Sequence, residues 1–185
     1  MTSALPVIQA NLQSELAQLA QAVANERISP DILYTALERT LTRAHIEAAL
    51  AGRQAVDQGF FEGILSKVLD VFAPLRGGLQ DKLNSELTYL RDFITQIADG
   101  NLTPAQIAAR LDQYGNHVQQ TFWGAQTDTQ GAAGYTEERR VLNPGESCDD
   151  CIGYAGQGWQ PIGSLPEPGE DSQCRANCNC SKDYR

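Results

Sequence analysis

The residues with the most chemical potential in this 185-residue chain are its five cysteines, Cys148, Cys151, Cys174, Cys178 and Cys180, and no thiol precedes Cys148. Their order is CxxC, then 22 residues, then CxxxCxC. A CxxC turn aims two sulfurs at one centre, and a returning cysteine group completes tetrahedral thiolate coordination, with Zn–S near about 2.3 Å. The spacing predicts one zinc ion held by four of the five cysteines, with one thiol to spare. Because only Asn179 separates Cys178 from Cys180, the expendable thiol is expected among Cys174, Cys178 and Cys180. Loss of Cys148 or Cys151 should loosen the segment. The stretch between the two groups is rich in Gly and Pro, holds Trp159, and cannot bury enough apolar surface to keep its shape without a staple. The alternative staple is a pair of disulfides with one cysteine left over, which suits an oxidising compartment. The opening MTSALPVIQANLQ lacks the basic-then-apolar order of a leader, and no apolar run reaches the ~18 residues of a membrane span. The expected setting is therefore a reducing cytoplasm, with no membrane contact.

Other chemistry is sparse. His45 and His117 are the only histidines, neither stands in a nucleophile–base arrangement, and both are expected on helix surfaces or half-buried. The chain holds no Walker loop, no GxGxxG after a strand, no HExxH and no GxSxG. Asp149 and Asp150 fall inside the CxxC, where adjacent carboxylates keep a tight turn solvated more simply than they perform acid–base work. A thioredoxin-like role for Cys148 and Cys151 requires a βαβ context that a helical chain does not supply. The expectation is a protein that is not an enzyme, with no catalytic residues. A net charge of −9, with only Arg175, Lys182 and Arg185 basic after residue 140, argues against a nucleic-acid reader. Arg139-Arg140, next to Glu137-Glu138, reads as a solvated surface pair.

The elements that must position the cysteines are mainly helical. Leu5, Ile8, Leu12, Leu16, Leu19 and Val23 recur at spacings of three and four, one apolar stripe running to Asn25. Ser29-Pro30 is a helix start, and the helix should run to about Gly52, with Leu33, Leu37 and Leu41 on one side and Ile46 and Leu50 on another. Gly59, Gly63, Pro74, Gly77 and Gly78 bound a short helix carrying Ile64, Leu65, Val68, Leu69, Val71 and Phe72, followed by a turn. Leu79, Leu83, Leu87, Leu90, Ile94 and Ile97 then form the cleanest stripe, ended by Gly100. Thr103-Pro104 opens a helix with Ile107, Leu111, Tyr114, Val118 and Phe122 on one face, expected to pack antiparallel on its predecessor. Gly124 to Gly134 has no periodicity and reads as a loop. The predicted class is mainly α: an amphipathic helical region of about four to five helices over 1–124, a linker over 125–134, and a small cysteine-rich, zinc-stapled loop or hairpin module over 135–185.

The run from Tyr135 through Cys148 and Cys151 to Cys174, Cys178 and Cys180, with Gly158, Trp159, Pro161, Gly163, Leu165, Pro166, Pro168 and Gly169 between the groups, resembles the C-terminal segment of tailed-phage head morphogenesis proteins related to the F protein of phage Mu. The resemblance covers about a quarter of the chain firmly, with a looser match from Gly100 to Trp123. Relatives often carry a histidine beside the cysteines; here Ser147 precedes Cys148 and no histidine follows His117, which leaves an all-sulfur site. The resemblance implies a minor head, portal- or neck-associated component of a bacteriophage virion. It would be multi-copy, with portal, capsid or neck proteins as partners and weak DNA contact or none. The competing class, independent of the resemblance, is a zinc-ribbon-like regulatory or nucleic-acid adaptor.

Overall fold

Leu5, Ile8, Leu12 and Leu16 form the buried face of the first helix, α1 (Leu5–Ala24). The next, α2 (Pro30–Gln54), starts after Ser29, whose Oγ accepts from the Ile32 amide at 3.4 Å. A third long helix, α3 (Val68–Ala98), ends with Gly100 at φ +69, and the Asn101 amide reaches back to the Gln96 carbonyl at 3.0 Å, closing the last turn. The fourth, α4 (Pro104–Ala132), is opened by a reciprocal cap: Thr103 Oγ1 accepts from the Gln106 amide, and Gln106 Oε1 accepts from the Thr103 amide at 2.9 Å. The computed structural model describes residues 4–54, 68–145, 147–175 and 178–185. After α4 come β1 (Glu137–Val141), a short helix α5 (Asp149–Gly156), β2 (Gln160–Pro161) and β3 (Ser181–Tyr184). The three strands form one antiparallel sheet in the order β2-β1-β3, with Arg140 opposite Lys182 and Glu138 opposite both Tyr184 and Gln160. The chain is thus mainly α, with a small cysteine-containing unit at its C-terminal end.

Three expectations need correction. The break at Pro74, Gly77 and Gly78 is absent, because α3 runs through all three. Pro74 removes one intrahelical N–H and each glycine costs about 1 kcal/mol relative to Ala, losses that weaken a long helix without ending it. The earlier part of the expected short helix, including Ile64 and Leu65, lies outside the described residues. The stretch 125–134, expected as a linker, is helical to Ala132, and Gly134 at φ +96 closes α4 with the Tyr135 amide on the Gln130 carbonyl. On α2, Ile46 is 42 % exposed, and Ala44, His45, Ala48, Ala49, Ala51 and Gly52 are the buried residues of that half.

Those small residues determine the packing. α4 lies against both α1 and α2, while α3 packs mainly on α2 and touches α4 through long side chains. Phe93 and Tyr114 meet at 6.2 Å between ring centroids, and Arg110 lies over Phe93 at 5.5 Å, which holds the α3 and α4 axes apart. At Gly52 the opposite holds: a Cβ there would sit 2.1 Å from the Phe122 carbonyl oxygen, so only glycine permits α2 and α4 to approach this closely. The common core joins Leu12, Leu16, Leu33, Leu37, Leu41, Leu90, Phe93, Leu111 and Val118.

A polar tie crosses this core. Glu86 on α3 is bonded through Oε2 to His45 Nε2 on α2 at 2.9 Å and through Oε1 to His117 Nδ1 on α4 at 2.8 Å. With Glu86 ionised both histidine nitrogens donate to it, and His45 Nδ1 lies 2.7 Å from the Thr121 hydroxyl. His45 is fully buried rather than on a helix surface, and His117 is half-buried. Burial alone would raise the Glu86 pKa, but the hydrogen bonds from His117 and His45, with their charges, hold it at about 2. A carboxylate depressed in the folded state stabilises above its ordinary value of 4.5 and loses that contribution as pH falls toward 2. The shift corresponds to about 3 kcal/mol. Urea unfolding between pH 5 and 2.5 should therefore show a steeper loss of stability for the wild type than for Glu86→Gln, and equal slopes would remove this role from Glu86.

Candidate metal centre

Cys148 is the N-cap of α5, in extended conformation at ψ 161, and Cys151 follows within the first turn. The helix start turns both sulfurs to one side and leaves Asp149 and Asp150 at its positive end, where carboxylates are favoured. Asp150 does more than solvate the turn: its Oδ2 accepts from the Gln173 amide at 2.8 Å and so brings the loop carrying Cys174 onto α5. Tyr154, also on α5, donates from its hydroxyl to the Asp171 carbonyl at 2.8 Å in the same loop. Cys178 and Cys180 arrive from the other side, on the approach to β3.

All five cysteines converge. Cys151 is fully buried, and its Sγ lies 3.5 Å from that of Cys174 and 3.6 Å from that of Cys178. The sulfurs form two groups, Cys148 with Cys151 and Cys174, and Cys151 with Cys178 and Cys180, each lying within 4.8 Å. Cys151 belongs to both. Four sulfurs around a tetrahedral metal at about 2.3 Å stand about 3.8 Å from one another, so the spacing fits. The donor set is chemically apt as well, since all five are free thiols and the cluster can hold a metal ion.

Electrostatics within the cluster are uneven. Burial pushes the Cys151 thiol up, reinforced by its neighbours Cys174, Cys180, Cys148 and Cys178. Burial also takes Cys174 up to about 11 and raises Cys180. Cys148 and Cys178 go the other way: burial opposes their ionisation, but amide and thiol donors outweigh it, leaving Cys148 at about 7 and Cys178 below its ordinary value. Crowded thiolates repel, and a cation at their centre is what lets several ionise together.

The unit is anchored on the C-terminal half of α4. Gln119 Nε2 donates to the Cys178 carbonyl at 2.6 Å, and Gln120 Nε2 donates to the Gly169 carbonyl at 3.1 Å. Thr127 Oγ1 is 3.0 Å from the Tyr184 hydroxyl and 3.3 Å from Glu167 Oε1. Thr127, within the stretch expected as linker, is therefore part of the platform that Gln119 and Gln120 begin. Beneath the sheet, Lys182 Nζ lies 3.0 Å from Glu138 Oε2, 3.1 Å from Glu167 Oε1 and 3.1 Å from the Leu165 carbonyl, and the Lys182 and Glu138 side chains are wholly buried. Glu138 Oε1 accepts from the Leu165 amide at 2.8 Å. Burial raises the Glu167 pKa against the opposing pull of Lys182.

No protein-family model, curated protein or solved structure matches the chain. The site is therefore read from its own geometry. Among the described residues no helix is long and apolar enough to cross a membrane.

Arg139 and Arg140 separate. Arg139 is exposed, pairs with Asp183 at 2.7 Å and lies 4.7 Å from the Trp159 ring, whose other cation is Arg185 at 4.5 Å. Arg140 is 3 % exposed, lies 5.5 Å from the Tyr154 ring and donates through Nη2 to the Pro166 carbonyl. The surface-pair expectation thus holds for Arg139 and fails for Arg140, because successive strand residues face opposite sides. The alternation in Glu137–Val141 was the available signal, and with it Glu138, Arg140 and Lys182 could have been placed on the inner face.

Proposed function

We propose that the cysteine cluster binds one zinc ion through four thiolates and that the chain is a non-enzymatic structural or assembly component of a tailed-bacteriophage particle. In this reading it is a minor head, portal- or neck-associated protein, multi-copy in the virion, whose partners are other virion proteins. The observation that carries it is the convergence on Cys151 of two cysteine groups 22 residues apart, in the Gly/Trp/Pro frame that resembles the head morphogenesis proteins. A metal there staples a segment with little apolar core of its own, a structural use of zinc that leaves no open coordination position for catalysis.

Charge weighs against the adaptor reading. Arg139 and Arg185 flank Trp159, a grouping that a nucleic-acid surface could use, but Asp183 and Glu137 pair with them at 2.7 and 2.6 Å. With an overall charge of −9, the fitting partners are proteins. Deleting the gene from the phage that encodes it should give aberrant heads or heads without tails. Normal yields of infectious particles with unaltered heads and necks would overturn the assembly role.

A further inference from the structure

Arg140 is a buried guanidinium that the protein uses only in part. Nη2 is bound to the Pro166 carbonyl, while Nε and Nη1 have no hydrogen-bond partner among the described residues. Such buried donors are costly, and each needs a physical reason. The strand register supplies one. Arg140 stands opposite Lys182, and Cys180, the residue before β3, precedes Lys182 by two positions, so continuing the strand alternation puts Cys180 on the same inner side as Arg140. Cys180 is 5 % exposed and Arg140 3 %, so both lie in the interior of the unit. On the other side, the Tyr154 ring of α5, one turn beyond Cys151, covers the guanidinium.

Resting on the metal-thiolate reading above, we propose that Arg140 is a positioning residue for the metal centre, the buried counter-charge that brings Cys180 in as a ligand. A divalent ion with four thiolates carries a net charge of −2, and a buried anion of that kind requires a cation beside it. Arg140 is the cation on the Cys180 side. Cys151, Cys178 and Cys180 are then three of the ligands, and the fourth comes from the pair Cys148 and Cys174, which groups with Cys151. The replaceable thiol is then one of that pair, Cys148 or Cys174.

The test uses the full chain loaded with zinc, with affinity read by chelator competition and thiolate number by the charge-transfer bands of the Co(II)-substituted protein. Arg140→Met should weaken zinc binding about 10- to 100-fold, the range typical of outer-sphere partners of metal ligands. Arg140→Lys, which keeps the charge, should recover most of it. In a Cys180→Ser background the same Arg140→Met change should add less than about threefold, because the partner through which it acts is gone. Should Arg140→Met fail to fold, Arg140→Gln, which retains a donor for the Pro166 carbonyl, carries the same comparison. Neutral variants that bind zinc as tightly as the wild type, or that lose the same factor with and without Cys180, would overturn the role of Arg140 and leave the metal centre standing. A wild-type chain that takes up no zinc would overturn both.

Discussion

Cys151→Ser should abolish metal binding and unfold the C-terminal unit, the largest effect expected of any single thiol. Cys151 is the one sulfur common to both groups, so its loss leaves no three cysteines of either group intact. The defect should exceed the roughly 100-fold that removal of an outer-sphere partner costs. The mildest of the five should be Cys148→Ser or Cys174→Ser, since either thiol can stand in for the other beside Cys151. Elemental analysis of protein purified under reducing conditions should find about one zinc per wild-type chain, and a chelator should reproduce the Cys151→Ser state, because binding energy of a structural metal is folding energy. Wild-type protein without metal and with two disulfides by mass spectrometry would contradict the zinc staple. If Cys148→Ser proved as damaging as Cys151→Ser, the central place of Cys151 would be lost.

Lys182→Met should destabilise the chain by about 3–5 kcal/mol, since it leaves the buried carboxylates of Glu138 and Glu167 without their cation. The double variant Lys182→Met/Glu138→Leu should recover part of this, because removing both charges is less costly than stranding one. Arg139→Ala, which breaks the exposed pair with Asp183 and the contact with the Trp159 ring, should change stability by about 1 kcal/mol. Urea titrations followed by Trp159 fluorescence in a Trp123→Phe background report on the unit directly. A Lys182→Met effect no larger than that of Arg139→Ala would show that the buried network does not lock the unit onto α4.

Sequence alone determined where α1, α2 and α4 begin and which residues of the stripes on α1 and α4 face inward. Leu5, Ile8, Leu12 and Leu16, or Ile107, Leu111, Tyr114, Val118 and Phe122, repeat at helical spacing, and Thr103 with Gln106 caps by a local hydrogen-bond pattern that needs no distant partner. Cysteine spacing was likewise sufficient to bring both thiol groups to one cluster. What depended on surfaces far apart in the chain was not legible. The last turns of α4 have poor helical composition, and there Thr127 bonds to Glu167 and Tyr184, 40 and 57 residues later. Ile46 stays exposed while alanines beside it are buried, because α2 presents its small residues to close neighbours. His45 is buried only because Glu86 and Thr121, 41 and 76 residues away, complete its hydrogen bonds. Arg140 and Arg139 are chemically identical neighbours, and it was the pairing of β1 with β3 that sent one to solvent and the other toward the thiols. Local periodicity fixes which face a residue occupies, but only tertiary packing decides what covers that face, because burial and charge compensation depend on groups the local sequence does not contain.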